Sequence, residues 1–342
     1  MTKKILITGS AGFIGFHLTK RLLDSGYELI GFDNLNSYYD IQLKQERLNQ
    51  LNKLSIENNY YWKFIKGNLE DKEKMIRLFK EFKPSIIVHL AAQAGVRYSI
   101  VNPEAYLKAN IFGFQNILHC SEKYNIENLI YASSSSVYGG NTKTPFSESD
   151  QVNHPVSLYA ASKKANELFA HVYSHLYNIP STALRFFTVY GPWGRPDMAP
   201  MIFTKAIIEK KPIRIFNNGD MQRDFTYIDD VVEAVIRCAF KFSTPNPPLS
   251  IAEENASHSY APHRIFNVGN SKPVELLKFI ELIEKNLGKK ANKIMMPIQS
   301  GDVKETLSDS SALETWIDYK PSTTIEQGIA KFIEWYKSYF SV

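Results

Sequence analysis

The chain has 342 residues, 44% of them hydrophobic and 22% charged, with a formal net charge of +5. That is the composition of a globular protein, long enough for one large domain or two smaller ones sharing an interface. Acids and bases interleave, no basic run exceeds a lysine pair, and no stretch approaches the roughly 20 apolar residues of a membrane span, so neither a nucleic-acid nor a membrane partner is expected.

Met1-Thr2-Lys3-Lys4 runs into the apolar Ile5-Leu6-Ile7, but the run breaks at Thr8-Gly9-Ser10, too short for a secretory signal. A cytoplasmic, reduced setting is expected. Residues 5–8 read as a strand, 13–25 as a helix ended by Gly26, and 28–33 and 62–66 as strands. Residues 72–82 read as a helix that stops before Pro84, 86–90 as an apolar strand, 103–124 as a helix and 128–132 as a strand. Residues 157–178 form a long helix: Ser157 can cap it and Pro180 cannot continue it. Leu158, Ala161, Ala165, Leu168, Phe169, Val172 and Leu176 recur at helical spacing along one face. A strand over 181–187 follows, then looser alternation, a Pro-, Ser- and Asn-rich loop over 243–263, and helices over 276–287 and 324–338. Cys120 and Cys238 are far apart, without metal spacing, and no metal site is readable.

Strand–helix alternation implies a parallel sheet with helices on both faces. The expected fold is therefore α/β: a Rossmann-type doubly wound parallel sheet with a smaller α/β substrate-binding domain. The expected partition puts residues 1–185 in the nucleotide domain, rejoined by about 225–242. Residues 186–224 and 264–342 make the substrate domain, and 243–263 a loop insertion.

Gly9, Gly12 and Gly15 stand three apart between the first strand and the first helix. Gly9 allows the tight turn, Gly12 lets the backbone approach a pyrophosphate, and Gly15 lets helix and strand pack closely. Asp33, 18 residues past Gly15 at the end of the second strand, suits the ribose hydroxyls of NAD and repels a 2′-phosphate. Tyr159 and Lys163, four apart, share a face of the long helix. A tyrosine base must lose its proton far below its free pKa near 10, and nearby cations favour that. The run Ser133-Ser134-Ser135-Ser136 follows the strand over 128–132, where strand ends face the ligand crevice, and its hydroxyls can bridge a substrate hydroxyl to the tyrosine.

With these features in place, the chain resembles the extended short-chain dehydrogenase/reductase family of NAD-dependent sugar-nucleotide epimerases and dehydratases. The resemblance rests on TGSAGFIG, HLAAQAGVRYS, YASSSSVYG, YAASK, LRFFTVYGPWGRPDMAP and RDFTYIDDV, in family order over nearly the whole chain. Within it, FDNLNSYYD, AAQAGVRYS and GPWGRPDM are most similar to UDP-glucuronate 4-epimerases. The resemblance implies that Tyr159 is the base for the 4-hydroxyl, and that Lys163 holds the nicotinamide ribose and lowers the tyrosine pKa. Ser134 falls at the catalytic Ser/Thr position, with Ser135 and Ser136 beside the sugar; Ser136 is carried as a second catalytic candidate. It places Gly9, Gly12, Phe13, Ile14, Gly15, Asp33, Asn34, Ala91, Ala92, Gln93, Asn110 and Ser133 against NAD. Asn68-Leu69 stands where an Asp–hydrophobe pair usually contacts adenine. Arg97, Thr188, Arg195, Arg223, Gln299 and Asp302 are implied contacts of a UDP-sugar.

The resemblance also sorts the reactions. Dehydratases carry an Asp-Glu pair at Ser135-Ser136, and decarboxylases tend to carry Glu at Ser136. With neither carboxylate, the 4-keto sugar formed by hydride transfer to NAD is expected to rotate and take the hydride back on its other face. Arg195 can grip a uronate carboxylate bidentately. Epimerases of neutral or N-acetylated UDP-hexoses, a UDP-glucuronate decarboxylase and a non-catalytic NAD-binding regulator stay open as alternatives. The helices over 103–124 and 157–178 are apolar on more than one face, and relatives pair them as a four-helix bundle, so a homodimer is expected.

Overall fold

The computed structural model describes residues 3–245, 256–298 and 303–342. The first half runs β1 (Lys4–Thr8), α1 (Phe13–Asp24), β2 (Glu28–Asp33), α2 (Ile41–Asn58), β3 (Trp62–Lys66), α3 (Lys72–Phe82) and β4 (Ile86–His89). Two single-turn helices, α4 (Tyr98–Val101) and α5 (Pro103–Tyr106), lead through a π-helical turn, Leu107–Phe112, into α6 (Gly113–Lys123). Next come β5 (Asn128–Ser134), α7 (Leu158–Tyr177) and β6 (Ser181–Phe186). The remainder comprises β7 (Thr188–Tyr190), α8 (Ala199–Ile208), β8 (Pro212–Ile215), β9 (Gln222–Tyr227), α9 (Ile228–Phe240) and β10 (His263–Val268). It ends with β11 (Pro273–Glu275), α10 (Leu276–Leu287), β12 (Asn292–Met295), β13 (Glu305–Thr306), α11 (Ser311–Ile317) and α12 (Ile325–Phe340).

Seven strands form one parallel sheet in the order β10-β6-β5-β4-β1-β2-β3. Strand residues alternate between two cores, as the pleat requires. Ile5, Ile7, Val88, Ile130 and Leu184 face a cluster shared with α1 and α9. Leu6, Ile87, Leu129, Tyr131 and Ala183 face one shared with α3, α6 and α7. The first cluster continues into α8, α10 and α12, so the second layer rests on the first. That layer holds a small mixed sheet of β7, β9, β11 and β13, and a separate β8–β12 pair.

Strand order reverses between β1 and β4, which opens a crevice at the carboxyl ends of those strands. β10 pairs with β6 along its whole length, so 263–268 belongs to the large sheet and not with the rest of the expected 264–342 segment. The expected loop over 243–263 lies partly outside the described residues. No described helix is long and apolar enough to cross a membrane.

Candidate active site

The phosphate-loop residues form a bare cradle. Gly9 adopts φ +75°, and its N–H reaches the Phe32 carbonyl at 2.7 Å, tying the loop to β2. A Cβ on Gly15 would sit 2.0 Å from the Gly9 oxygen, so no side chain fits between helix and turn. Gly12 precedes α1, and no side chain caps the first turn. A helix N-terminus with that shape suits a pyrophosphate, so these residues fit a dinucleotide. Asp33 is buried, with Oδ1 accepting from the Leu35 N–H at 2.9 Å. Asn34 donates to Asn68 Oδ1 at 3.1 Å.

A cavity of about 410 Å³ runs from this loop across the crevice. Its wall brings together Gly9, Gly12, Phe13, Ile14, Gly15, Asp33, Asn34, Leu69, Ala91, Ala92 and Gln93. It also includes Ser133, Ser134, Ser135, Ser136, Tyr159, Lys163, Thr188 and Arg195. Four expected contacts lie off that wall. Asn68 accepts the Asn34 amide through Oδ1. Asn110 is buried behind Gln93, accepting its N–H at 2.8 Å and donating to its carbonyl at 3.0 Å. Exposed Arg97 packs its guanidinium on Phe216, and Arg223 donates to the carbonyls of Gln222, Val303 and Lys304. Gln299 and Asp302 lie outside the described residues. Asn36, Tyr38, Tyr39, Lys44, Phe186, Phe187 and Met198 line the cavity without having been expected there.

α7 presents Tyr159 and Lys163, the expected proton-transfer pair. Its N-cap is the expected one: Ser157 accepts from the Ala160 N–H at 3.1 Å. Burial raises the Tyr159 pKa, while a hydrogen bond with Ser134 and the Arg195 charge pull it back. Ser134 Oγ in turn lies 3.1 Å from Ser136 Oγ and accepts from the Ser136 N–H, so three hydroxyls form a chain. The Lys163 ammonium donates to the Ala132 carbonyl at 2.8 Å, and the Arg195 charge favours ionisation of Tyr159. Burial brings the Lys163 pKa down to about 8, against the pull of Glu167. Ser133 turns away from the cavity centre to donate to Glu167 at 2.7 Å. Glu167 also grips Arg185 bidentately beneath the site, at 2.8 and 2.9 Å.

Arg195 is not a lone cation. Nε and Nη2 hold Asp197 at 3.0 and 2.6 Å, and Tyr38 donates to the same carboxylate at 3.0 Å. Burial opposes the Arg195 charge, and Asp197 more than restores it. Among the described residues, no group of histidines, cysteines or acids could hold a metal ion.

Comparison with known proteins places this geometry. The NAD dependent epimerase/dehydratase family matches residues 5–251. Protein CapI of Staphylococcus aureus is 54% identical over 98% of this chain and 99% of its own. A probable UDP-glucuronate 4-epimerase of Rhizobium meliloti is 46% identical over 97% of this chain and 96% of its own. Among solved structures, the UDP-glucuronic acid 4-epimerase of Bacillus cereus, in complex with UDP-glucuronic acid and NAD, superposes with a TM-score of 0.85. It is 32% identical and covers 98% of this chain and 99% of its own.

Proposed function

The chain belongs to the NAD dependent epimerase/dehydratase family, and from that premise we propose that it is a UDP-glucuronate 4-epimerase, interconverting UDP-glucuronate and UDP-galacturonate. It is an NAD-dependent enzyme of the nucleotide-sugar epimerase family. One observation carries the narrower reading, the chemistry of the wall around Tyr159. That wall offers the hydroxyls of Ser134, Ser135, Ser136 and Thr188 and the guanidinium of Arg195. Among the described lining residues the only carboxylates are Asp33 and Glu70, both on the β2–β3 side.

When bound in the cradle, NAD supplies reversible hydride acceptance at the sugar C4. Tyr159 takes the 4-hydroxyl proton and returns it, with Ser134 and Ser136 holding the hydroxyl chain that steadies the phenolate. Lys163, anchored on β5, presents its charge to the cofactor side of the site. Elimination of water needs a carboxyl acid–base pair, and among the described lining residues the sugar end has none. Inversion at C4 is what remains, without net redox change. Arg195 keeps Nη1 for the uronate carboxylate, because Asp197 occupies Nε and Nη2. Holding that carboxylate out of line with the 4-ketone suppresses loss of CO₂ from a β-keto acid.

Division of labour follows the layers. We assign NAD to residues 1–185 and 225–242 together with β10, and the sugar end to the rest. We also assign a homodimer built on α6 and α7. The test is a panel of UDP-glucuronate, UDP-glucose and UDP-N-acetylglucosamine incubated with purified protein and followed by sugar-proton NMR. UDP-galacturonate from the first alone supports the reading. Turnover restricted to the neutral sugars overturns it, and a UDP-pentose with CO₂ makes the enzyme a decarboxylase.

A further inference from the structure

Pro192-Trp193-Gly194 leads directly into Arg195, and the nucleotide layer holds this stretch by its carbonyls. His17 on α1 meets the Pro192 carbonyl through Nε2 at 2.8 Å. Arg47 on α2 donates from Nη2 to the Trp193 carbonyl at 2.6 Å and the Gly194 carbonyl at 3.4 Å. The same guanidinium donates from Nη1 to the Ala11 carbonyl of the phosphate loop at 2.9 Å and to the Tyr39 hydroxyl at 2.8 Å. One planar fork thus joins the loop that cradles phosphate to the loop that aims Arg195.

Arg47 is fully buried, and its Nε has no hydrogen-bond partner. The partners it does have are three carbonyls and a hydroxyl, not a carboxylate. A buried guanidinium held this way is costly, and a stability role alone is better served by an apolar side chain. The held loop is itself constrained. Trp193 adopts φ +60°, a region non-glycine residues avoid, and its ring packs on Phe16 at 5.3 Å and Trp335 at 5.4 Å. His17 is kept neutral by burial, with the Arg47 charge adding to that effect, so it joins the Pro192 carbonyl without placing a second charge there.

We propose that Arg47 is a positioning residue for sugar recognition: by bridging the Ala11 and Trp193 carbonyls it makes order in the phosphate loop set the aim of Arg195. The proposal rests on the uronate reading of Arg195 for its consequence in specificity, but its structural content stands apart from that reading.

The experiment uses NAD-loaded wild type, Arg47→Lys, Arg47→Met and Arg195→Leu. Amide hydrogen exchange is followed over residues 193–198. Dissociation constants are measured by calorimetry for UDP-glucuronate, UDP-glucose and UDP. Lysine keeps charge and stem but cannot span two loops with one fork, so Arg47→Lys decides the matter if Arg47→Met does not fold. Expected in Arg47→Lys is exchange over 193–198 faster by about tenfold, with α7 unchanged. The preference for UDP-glucuronate over UDP-glucose falls by about tenfold, the worth of a weakened hydrogen bond to a charged group, and UDP binding is unaltered. Unchanged exchange over 193–198 overturns the proposal, as does faster exchange spread over the whole chain. Faster local exchange with an intact uronate preference overturns it too. If wild type shows no uronate preference, the proposed function fails, and the exchange data alone decide whether Arg47 holds the loop.

Discussion

The ammonium of Lys163 and the carbonyl of Ala132 are 2.8 Å apart, so the cation one helical turn beyond Tyr159 is tied to the end of β5. Tyr159 meets a hydroxyl chain through Ser134 and the charge of Arg195. The groups proposed for acid–base chemistry and for sugar recognition therefore meet at one phenol.

Tyr159→Phe removes the ionisable oxygen and little else. Turnover is expected to fall by about 10²- to 10⁴-fold, the usual worth of a general acid–base. NAD released by heating should match wild type. A fall in kcat of less than about tenfold would assign the proton to another group.

Glu148 gives a pH signature in stability. It is buried, and burial pushes its carboxyl up to about 7, against the Asn267 N–H that donates to it at 2.8 Å. A folded pKa above the unfolded one means the stabilisation is complete below about 4.5 and is lost as pH rises through about 7. The change amounts to about 3 kcal/mol across that window. Urea unfolding of Glu148→Gln from pH 5 to 8 should show a flatter profile than wild type. Parallel profiles would mean that Glu148 titrates normally.

Much of this was legible in the sequence, for a physical reason. β2 is a short buried apolar run, β3 alternates at the sheet edge and α3 stops just before Pro84, so all three lie where pattern and punctuation put them. Ser157 and Pro180 bound α7 by cap chemistry. What stayed hidden depends on long-range packing. α2 went unread because twelve of the eighteen residues of IQLKQERLNQLNKLSIEN are polar, and Lys44 and Arg47 look solvent-facing. They are buried because loops bring them carbonyl partners, that of Asn36 just ahead of α2 for Lys44 and that of the distant Trp193 for Arg47. The helix expected over 103–124 contains a π-helical turn that sets Asn110 against Gln93 and Ser162, a register change no 3.6-residue pattern reveals. α7 inverts the usual rule: Lys163, Asn166 and Glu167 point inward, while its apolar stripe faces out.

That outward stripe motivates the dimer. Leu168, Val172 and Leu176, one turn apart, are 55%, 47% and 61% exposed, and Phe112 nearby in sequence on the π turn is 61% exposed. A contiguous apolar face on a helix calls for a partner. Light scattering at micromolar concentration should give twice the 39.1 kDa chain mass. Leu168→Glu with Leu176→Glu should bring it to one chain. A wild-type mass of one chain would overturn the assignment.

Arg195→Leu separates uronate recognition from general catalysis. Loss of the guanidinium has two consequences at once. It removes the hydrogen bonds offered to a substrate carboxylate, and it removes the charge that holds down the Tyr159 pKa. The second effect is common to every sugar and lowers kcat for all of them. The first applies only to uronates. Hydrogen bonds to charged groups contribute about 1.5–3 kcal/mol, so kcat/KM for UDP-glucuronate should fall by about 10- to 150-fold beyond any loss for UDP-glucose. The mutation also leaves Asp197 with Tyr38 as its remaining side-chain partner, so Asp197→Asn is the control. It keeps Arg195 while weakening the ion pair, and should alter UDP-glucuronate use far less than Arg195→Leu does. If Arg195 also keeps the carboxylate out of line with the 4-ketone, Arg195→Leu should release CO₂ and a UDP-pentose, which NMR and trapped CO₂ would record. An equal fall for both sugars, with no CO₂, would reduce Arg195 to an electrostatic partner of Tyr159 and remove the carboxylate clamp from the mechanism.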